Sequence, residues 1–176
     1  MSLNIEYNTH YKMLNVLKIV PDTIVDGPRM RTSIYLSGCN HECKGCHNRA
    51  SWKFGIGKNY ENQELIDHVI LYDHKRVTIS GGDGLCYQVE GLLSFLKDLK
   101  TSIPDCDVWL YTGYTWEELV ADPERKEVLK YINVLVDGKF IPELKSTKCL
   151  FRGSTNQRLI NVVKSLNSNE LILYSN

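Results

Sequence analysis

Four short apolar stretches of this 176-residue chain run straight into polar or glycine-rich turns, and that recurrence limits the folds open to it. The stretches are RTSIYLS (31–37), RVTIS (76–80), DVWLYT (107–112) and INVLVD (132–137). Each is rich in β-branched or aromatic residues and bounded by turn formers, as strands are. GCNHECKGC follows the first, GGDG the second and GY the third, and DGK closes the fourth. Amphipathic helices fit between them. Leu65, Ile66, Val69 and Ile70 form one apolar face in 62–72; Val89, Leu92, Leu93, Leu96, Leu99 and Ile103 form another in 88–103. Thr115 ahead of WEELV, with Glu118 three residues on, reads as a capping box. Further strand candidates lie near 158–164 and 170–175. The alternation predicts βαβ units and a largely parallel α/β sheet, open or closed into a partial barrel. Loops leaving the carboxyl ends of parallel strands gather on one face, where ligands bind. Four special turns on successive strands therefore predict one composite site.

A chain of this length can bury a sizeable core without disulfides, and no linker or repeat divides it, so 1–176 reads as a single domain. Lys plus Arg and Asp plus Glu balance at 21 each, with no basic stripe, which argues against a nucleic-acid partner. No apolar run is long enough to span a membrane, and the polar opening MSLNIEYNTHYK is unlike a secretion signal. A cytoplasmic protein is expected.

Three of the six cysteines crowd into CNHECKGC, at positions 39, 43 and 46. In a reducing compartment such a cluster points to metal rather than to disulfides. Cys86, Cys106 and Cys149 are scattered and read as small buried hydrophobes. A structural zinc site wants four Cys or His ligands, commonly in two knuckles, and the second knuckle is missing. His41 and His47 lie so close to the thiols that closing a tetrahedron with both would strain the loop; each reads as a loop residue, exposed at its plainest, that neighbours the cluster rather than ligating it. A 4Fe–4S cubane has four corners, of which three thiolates from one loop hold three and leave the fourth iron open. Gly38 and Gly45 allow the tight turns such a loop needs.

The C-x3-C-x2-C spacing after a first strand resembles the signature of the radical S-adenosylmethionine superfamily, and SGGDG (80–84) resembles its Gly-Gly-Asp/Glu motif. DGPRMR (26–31), CHNRASW (46–52), WLYTGYTWEEL (109–119), VLVDGKF (134–140) and FRGSTNQRLI (151–160) are together similar to the activating proteins of anaerobic ribonucleoside-triphosphate reductases. The resemblance implies a compact partial (βα) barrel of mostly parallel strands. It implies a 4Fe–4S cluster on Cys39, Cys43 and Cys46, with S-adenosylmethionine bordered by Gly45, Cys46 and His47. Gly81, Gly82 and Asp83 would meet the amino-acid end of that cofactor, and Thr112 and Asp137 are less specific candidates. It also implies an oxidoreductase that cleaves S-adenosylmethionine to a 5′-deoxyadenosyl radical. That radical would place a glycyl radical on the large subunit of the reductase, with electrons from a flavodoxin-type donor. No general base or nucleophile is evident, and the cofactors carry the hard chemistry.

Two positions depart from the family pattern: Arg29 stands where a glycine is common, and Gly84 where a proline is common after Gly-Gly-Asp. The alternatives are an activase of another glycyl-radical enzyme, such as pyruvate formate-lyase, or a small zinc-binding interaction module. Trp52, Trp109, Tyr111, Tyr114 and Trp116 read mainly as core.

Overall fold

The fold is taken from a computed structural model that describes residues 13–72 and 74–175; the polar opening, 1–12, lies outside the described residues. The strands are β1 (Leu14–Thr23), β2 (Arg31–Leu36), β3 (Lys58–Tyr60), β4 (Arg76–Gly81), β5 (Asp107–Tyr111), β6 (Val134–Asp137) and β7 (Arg158–Asn161). The helices are α1 (Asn62–Leu71), α2 (Gly84–Tyr87), α3 (Val89–Ser102), α4 (Trp116–Ala121), α5 (Pro123–Leu129) and α6 (Val162–Ser168). All seven strands join one mixed sheet in the order β3-β1-β2-β4-β5-β6-β7. The pairings β2–β4, β4–β5 and β5–β6 are parallel, whereas β1–β3, β1–β2 and β6–β7 are antiparallel. The parallel character expected from sequence is thus confined to the centre of the sheet. Among the described residues no helix is long and apolar enough to cross a membrane.

Successive side chains of the central strands enter two different buried faces. Val77 and Ile79 of β4, Val108 and Leu110 of β5, and Leu135 of β6 enter the main core. There they meet Leu65 and Val69 of α1, Leu92, Phe95, Leu96 and Leu99 of α3, Leu119 of α4 and Val128 of α5. Trp109, Val134 and Val136 point the other way into a smaller cluster with Phe151, Leu159 and Tyr174. Arg31, fully buried, lies over Trp109 at 5.1 Å and bonds the Val77 carbonyl and the Asp107 carboxylate. Thr115 and Glu118 form the expected capping box on α4.

Several expectations need correction. The strand foreseen at 158–164 stops at Asn161, whose side chain accepts from the Lys164 amide at 3.0 Å and so caps α6. The 170–175 segment makes an isolated bridge, Ile160 to Leu173, rather than a strand. Of the three scattered cysteines only Cys106 is buried; Cys86 and Cys149 are partly exposed. The edge strand β3 and its neighbour β1 were not foreseen. Pro21 falls within a register shift of β1 against β2, the kind of edge irregularity that tolerates a residue without an N–H.

A buried polar hub fixes β1 and β3 to the start of the cysteine loop. The Gln88 side chain bonds the Asn15 amide (2.6 Å), the Asn15 carbonyl (3.2 Å) and the Ser37 carbonyl (2.8 Å). The Asn15 side chain in turn bonds Ser37, Gly57 and Asn59. Gln88→Ala strips a buried amide of its partner and should cost about 2–3 kcal/mol in urea unfolding. Arg29 has φ 62°, in the left-handed region where a side chain is strained. This accounts for the glycine that the family pattern favours there. Arg29→Gly should raise stability by about 0.5–1 kcal/mol in the same measurement, the relief of strain being partly offset by unfolded-chain entropy.

Candidate iron–sulfur site

The site grows from the carboxyl end of β2. Gly38 follows Ser37 with φ 90°, a conformation L side chains rarely adopt, and turns the chain into the cysteine loop. The loop is tied at its start by Gly38 N–H to the Ser51 carbonyl (2.7 Å) and Cys39 N–H to the Trp52 carbonyl (3.0 Å). Within it, the Cys46 amide donates to the Cys43 carbonyl (3.1 Å) and the Asn48 amide to the Cys46 sulfur (3.4 Å). Cys39, Cys43 and Cys46 all border one cavity of about 230 Å³, shared with His41, His47 and Phe140.

The Gly-Gly-Asp turn at the end of β4 is laced onto the same loop. Gly82 N–H donates to the Leu36 carbonyl (2.7 Å) and Asp83 N–H to the Gly38 carbonyl (2.8 Å). A Cβ on Gly82 would stand 2.5 Å from the Gly38 carbonyl oxygen, and one on Gly81 2.8 Å from the Leu36 amide nitrogen. Both glycines are therefore demanded by protein backbone, and both also line the cavity. Gly84 begins α2 directly after its cap Asp83, the first-turn position where proline is favoured.

Asp83 is 2% exposed, and its carboxylate is saturated by the protein. One oxygen accepts from the Leu85 amide (2.9 Å). The other accepts from the Thr112 hydroxyl (2.7 Å), the Gly113 amide (2.9 Å) and His41 Nε2 (2.8 Å). His41, expected to be exposed, keeps only 6% of its side chain accessible and packs edge-on against Tyr114 at 4.6 Å. His47 is exposed, with its ring 5.6 Å from Phe140. Gly45 has φ 73° and packs near Pro142, just outside the cavity lining.

Asp137 is 1% exposed and also lies outside the lining. It accepts from the Trp116 amide at 2.8 Å, which caps α4, and pairs with Arg158. Arg158 belongs to the RGSTNQR segment (152–158), whose other side chains grip the 138–141 loop. Gln157 donates to the Gly138 carbonyl (2.9 Å) and accepts from the Gly153 amide (2.8 Å), while Asn156 donates to the Lys139 carbonyl (2.8 Å). The segment thereby fixes Lys139 and Phe140 in the cavity wall. Sequence reading placed His41 beside the cluster but missed its bond to Asp83, and it missed Cys86 as a neighbour of the site. The signal was present: Cys86 follows the Asp83 cap by three residues, one helical turn, which brings it back beside the cysteine loop.

The thiols differ in chemistry. A hydrogen bond from Cys86 holds Cys39 down at about 6, while burial pushes Cys43 up from the ordinary thiol value. The single S–H of Cys86 has two acceptors in reach, the Cys39 sulfur and Asn40 Oδ1 at 2.8 Å. Cys39, Cys43 and Cys46 line one small cavity and do not gather within the 4.8 Å that marks a single-ion group; three thiol donors of one loop are the donor set a 4Fe–4S cubane takes, and these are the residues that could hold one.

A family model described as a 4Fe-4S single cluster domain matches residues 25–160. The anaerobic ribonucleoside-triphosphate reductase-activating protein of Haemophilus influenzae is 40% identical over 150 residues, covering 82% of this chain and 96% of that protein. The Escherichia coli K12 protein of the same name is 37% identical over 151 residues, with 82% and 96% covered. That of phage T4 is 37% identical over 150 residues, with 83% and 93% covered. The crystal structure of QueE from Escherichia coli aligns over 76% of each chain at 12% identity with a TM-score of 0.49, too slight a likeness to carry weight. The matched span makes this chain a protein of the single 4Fe–4S cluster class. It belongs to the family of anaerobic ribonucleoside-triphosphate reductase-activating proteins.

In the metal-free chain the alkylation rate at Cys39 should climb as pH rises through about 6, where its thiolate forms, and level off by neutrality. Cys43 should react slowly at neutral pH and still be accelerating above the ordinary thiol range. Peptide mapping after brief iodoacetamide pulses reads both.

Proposed function

We propose that this chain activates an anaerobic ribonucleoside-triphosphate reductase by raising a glycyl radical on its large subunit, through a 4Fe–4S cluster on Cys39, Cys43 and Cys46. The observation that carries this reading is that three thiols of one loop share a cavity with a Gly-Gly-Asp strand end, in a family named for that activation. When bound, the cluster and S-adenosylmethionine supply the chemistry: one-electron cleavage to methionine and a 5′-deoxyadenosyl radical, which takes hydrogen from a glycine Cα.

The protein's own part is to bind, orient and exclude. Cys39, ionised at neutral pH, presents a thiolate without a base to deprotonate it. Gly81 and Gly82 offer bare backbone at the cavity wall, Cys46 and His47 share that lining, and Gly45 turns the loop just outside it; these are the residues we assign to border S-adenosylmethionine. Asp83 puts negative charge behind that wall, acting on the amino group of the cofactor at one remove, and its bonds to Thr112, Gly113 and His41 keep the wall in register. Asp137 acts at one remove, holding Arg158 and the start of α4. The parallel strands β2, β4, β5 and β6 are the part of the sheet we assign to the partial barrel of the radical S-adenosylmethionine fold. The working compartment is the reducing cytoplasm, and the electron donor is of flavodoxin type.

The test is anaerobic reconstitution with iron and sulfide, followed by reduction with S-adenosylmethionine and the reductase large subunit. The parent chain should form 5′-deoxyadenosine and leave a glycyl doublet in the electron paramagnetic resonance spectrum of the reductase, and none on pyruvate formate-lyase. Cys39→Ala should lower product at least 100-fold. No product from the parent, or equal product from Cys39→Ala, would sink the proposal.

A further inference from the structure

Beside the cavity, the Cys86 sulfur, the Cys39 sulfur and a ring nitrogen of His41 all lie within 4.8 Å of one another. Among the described residues no other three Cys, His, Asp or Glu ligand atoms meet so closely. Around one tetrahedral zinc ion such atoms stand roughly 3.3–3.8 Å apart, so small side-chain adjustments suffice. We propose that Cys39, His41 and Cys86 form a second metal site, which takes a single thiophilic divalent ion, zinc above all, when the cluster is absent.

Two thiolates and an imidazole suit zinc and leave a fourth position for water. The histidine is already oriented. Asp83 holds Nε2 at 2.8 Å, an arrangement in which a carboxylate fixes the tautomer and leaves the other ring nitrogen's lone pair for a metal. Tyr114 packs against the ring, and Gly113 passes so close that a Cβ there would stand 2.4 Å from it. Asp83 is itself anchored by Leu85, Thr112 and Gly113, so a supporting layer stands behind the ligand. Cys86 also borders a separate cavity of about 600 Å³ between Tyr87 and Arg125, which gives an ion its own way in. Of the proposed cluster ligands this site takes only Cys39, while His41 and its partner Asp83 also belong to the cavity wall. Because that thiolate serves both, zinc here withholds one of the three cluster ligands, and cluster and ion exclude each other.

The full-length chain, stripped of metal under anaerobic conditions, is titrated with cobalt(II) and then challenged with zinc(II). We expect one cobalt per chain, a sulfur-to-cobalt charge-transfer band in the near ultraviolet, and displacement by one zinc. A Cys43→Ser/Cys46→Ser chain should keep both band and stoichiometry. Cys86→Ser should lose about half the band and bind zinc at least tenfold more weakly, yet still load iron and sulfide, which also shows that it is folded. Zinc added first should slow cluster loading severalfold in the parent and leave Cys86→Ser unaffected. An unchanged band and zinc affinity in Cys86→Ser overturns the proposal without help from the double variant. So does loss of the band from a Cys43→Ser/Cys46→Ser chain whose circular dichroism is intact. A parent that takes zinc here but never takes up a cluster contradicts the proposed function and leaves this site standing. A parent that loads a cluster but takes no cobalt does the reverse.

Discussion

The Asp83 carboxylate accepts hydrogen bonds from four protein groups on three separate segments: the cysteine loop, the first turn of α2 and the end of β5. It lies 2% exposed, where an unpaired carboxylate would be costly, so each donor is held where the charge requires it. Through His41 it fixes the cysteine loop, and through Thr112 and Gly113 it fixes the facing wall. The cavity exists because these strand ends share one acceptor.

Close backbone approach supplies the second constraint. Gly38, Gly81 and Gly82 let β2 and β4 end side by side, with the Gly82 and Asp83 amides donating to Leu36 and Gly38 carbonyls. The RGSTNQR segment completes the enclosure from the far edge of the sheet. Gln157 and Asn156 hold the 138–141 loop, and Arg158 joins Asp137 to Glu117. Its family character thus reflects construction of the wall as much as contact with any ligand.

Much of this was legible in the residues. The four central strands fall within two residues of the stretches read from β-branched and aromatic runs, because buried parallel strands leave that signal undiluted. The helices α1 and α3 and the Thr115 cap followed from periodicity and capping chemistry. What stayed hidden depended on long-range contact. Lys18 and Pro21 blur the alternation in β1, and β3 has three residues, too few to show a period. Residues 162–164 looked like strand because the capping role of Asn161, the last residue of β7, depends on where Val162 turns into α6. The Gly-Gly-Asp residues were read as approaching a ligand; they line the cavity, and what the sequence did not show is that backbone and protein donors also press on them. The loop histidine seemed exposed because its partner lies 42 residues away in sequence.

The central claim is that three cysteines hold a cluster with one iron left for S-adenosylmethionine. Mössbauer spectroscopy of the chain reconstituted with iron-57, recorded with and without S-adenosylmethionine, tests it most directly. The account predicts that about a quarter of the iron changes its isomer shift and quadrupole splitting on addition of the cofactor, as one corner of a cubane would. Spectra that do not respond would contradict it, as would iron that never assembles into a cubane while Cys39, Cys43 and Cys46 are intact.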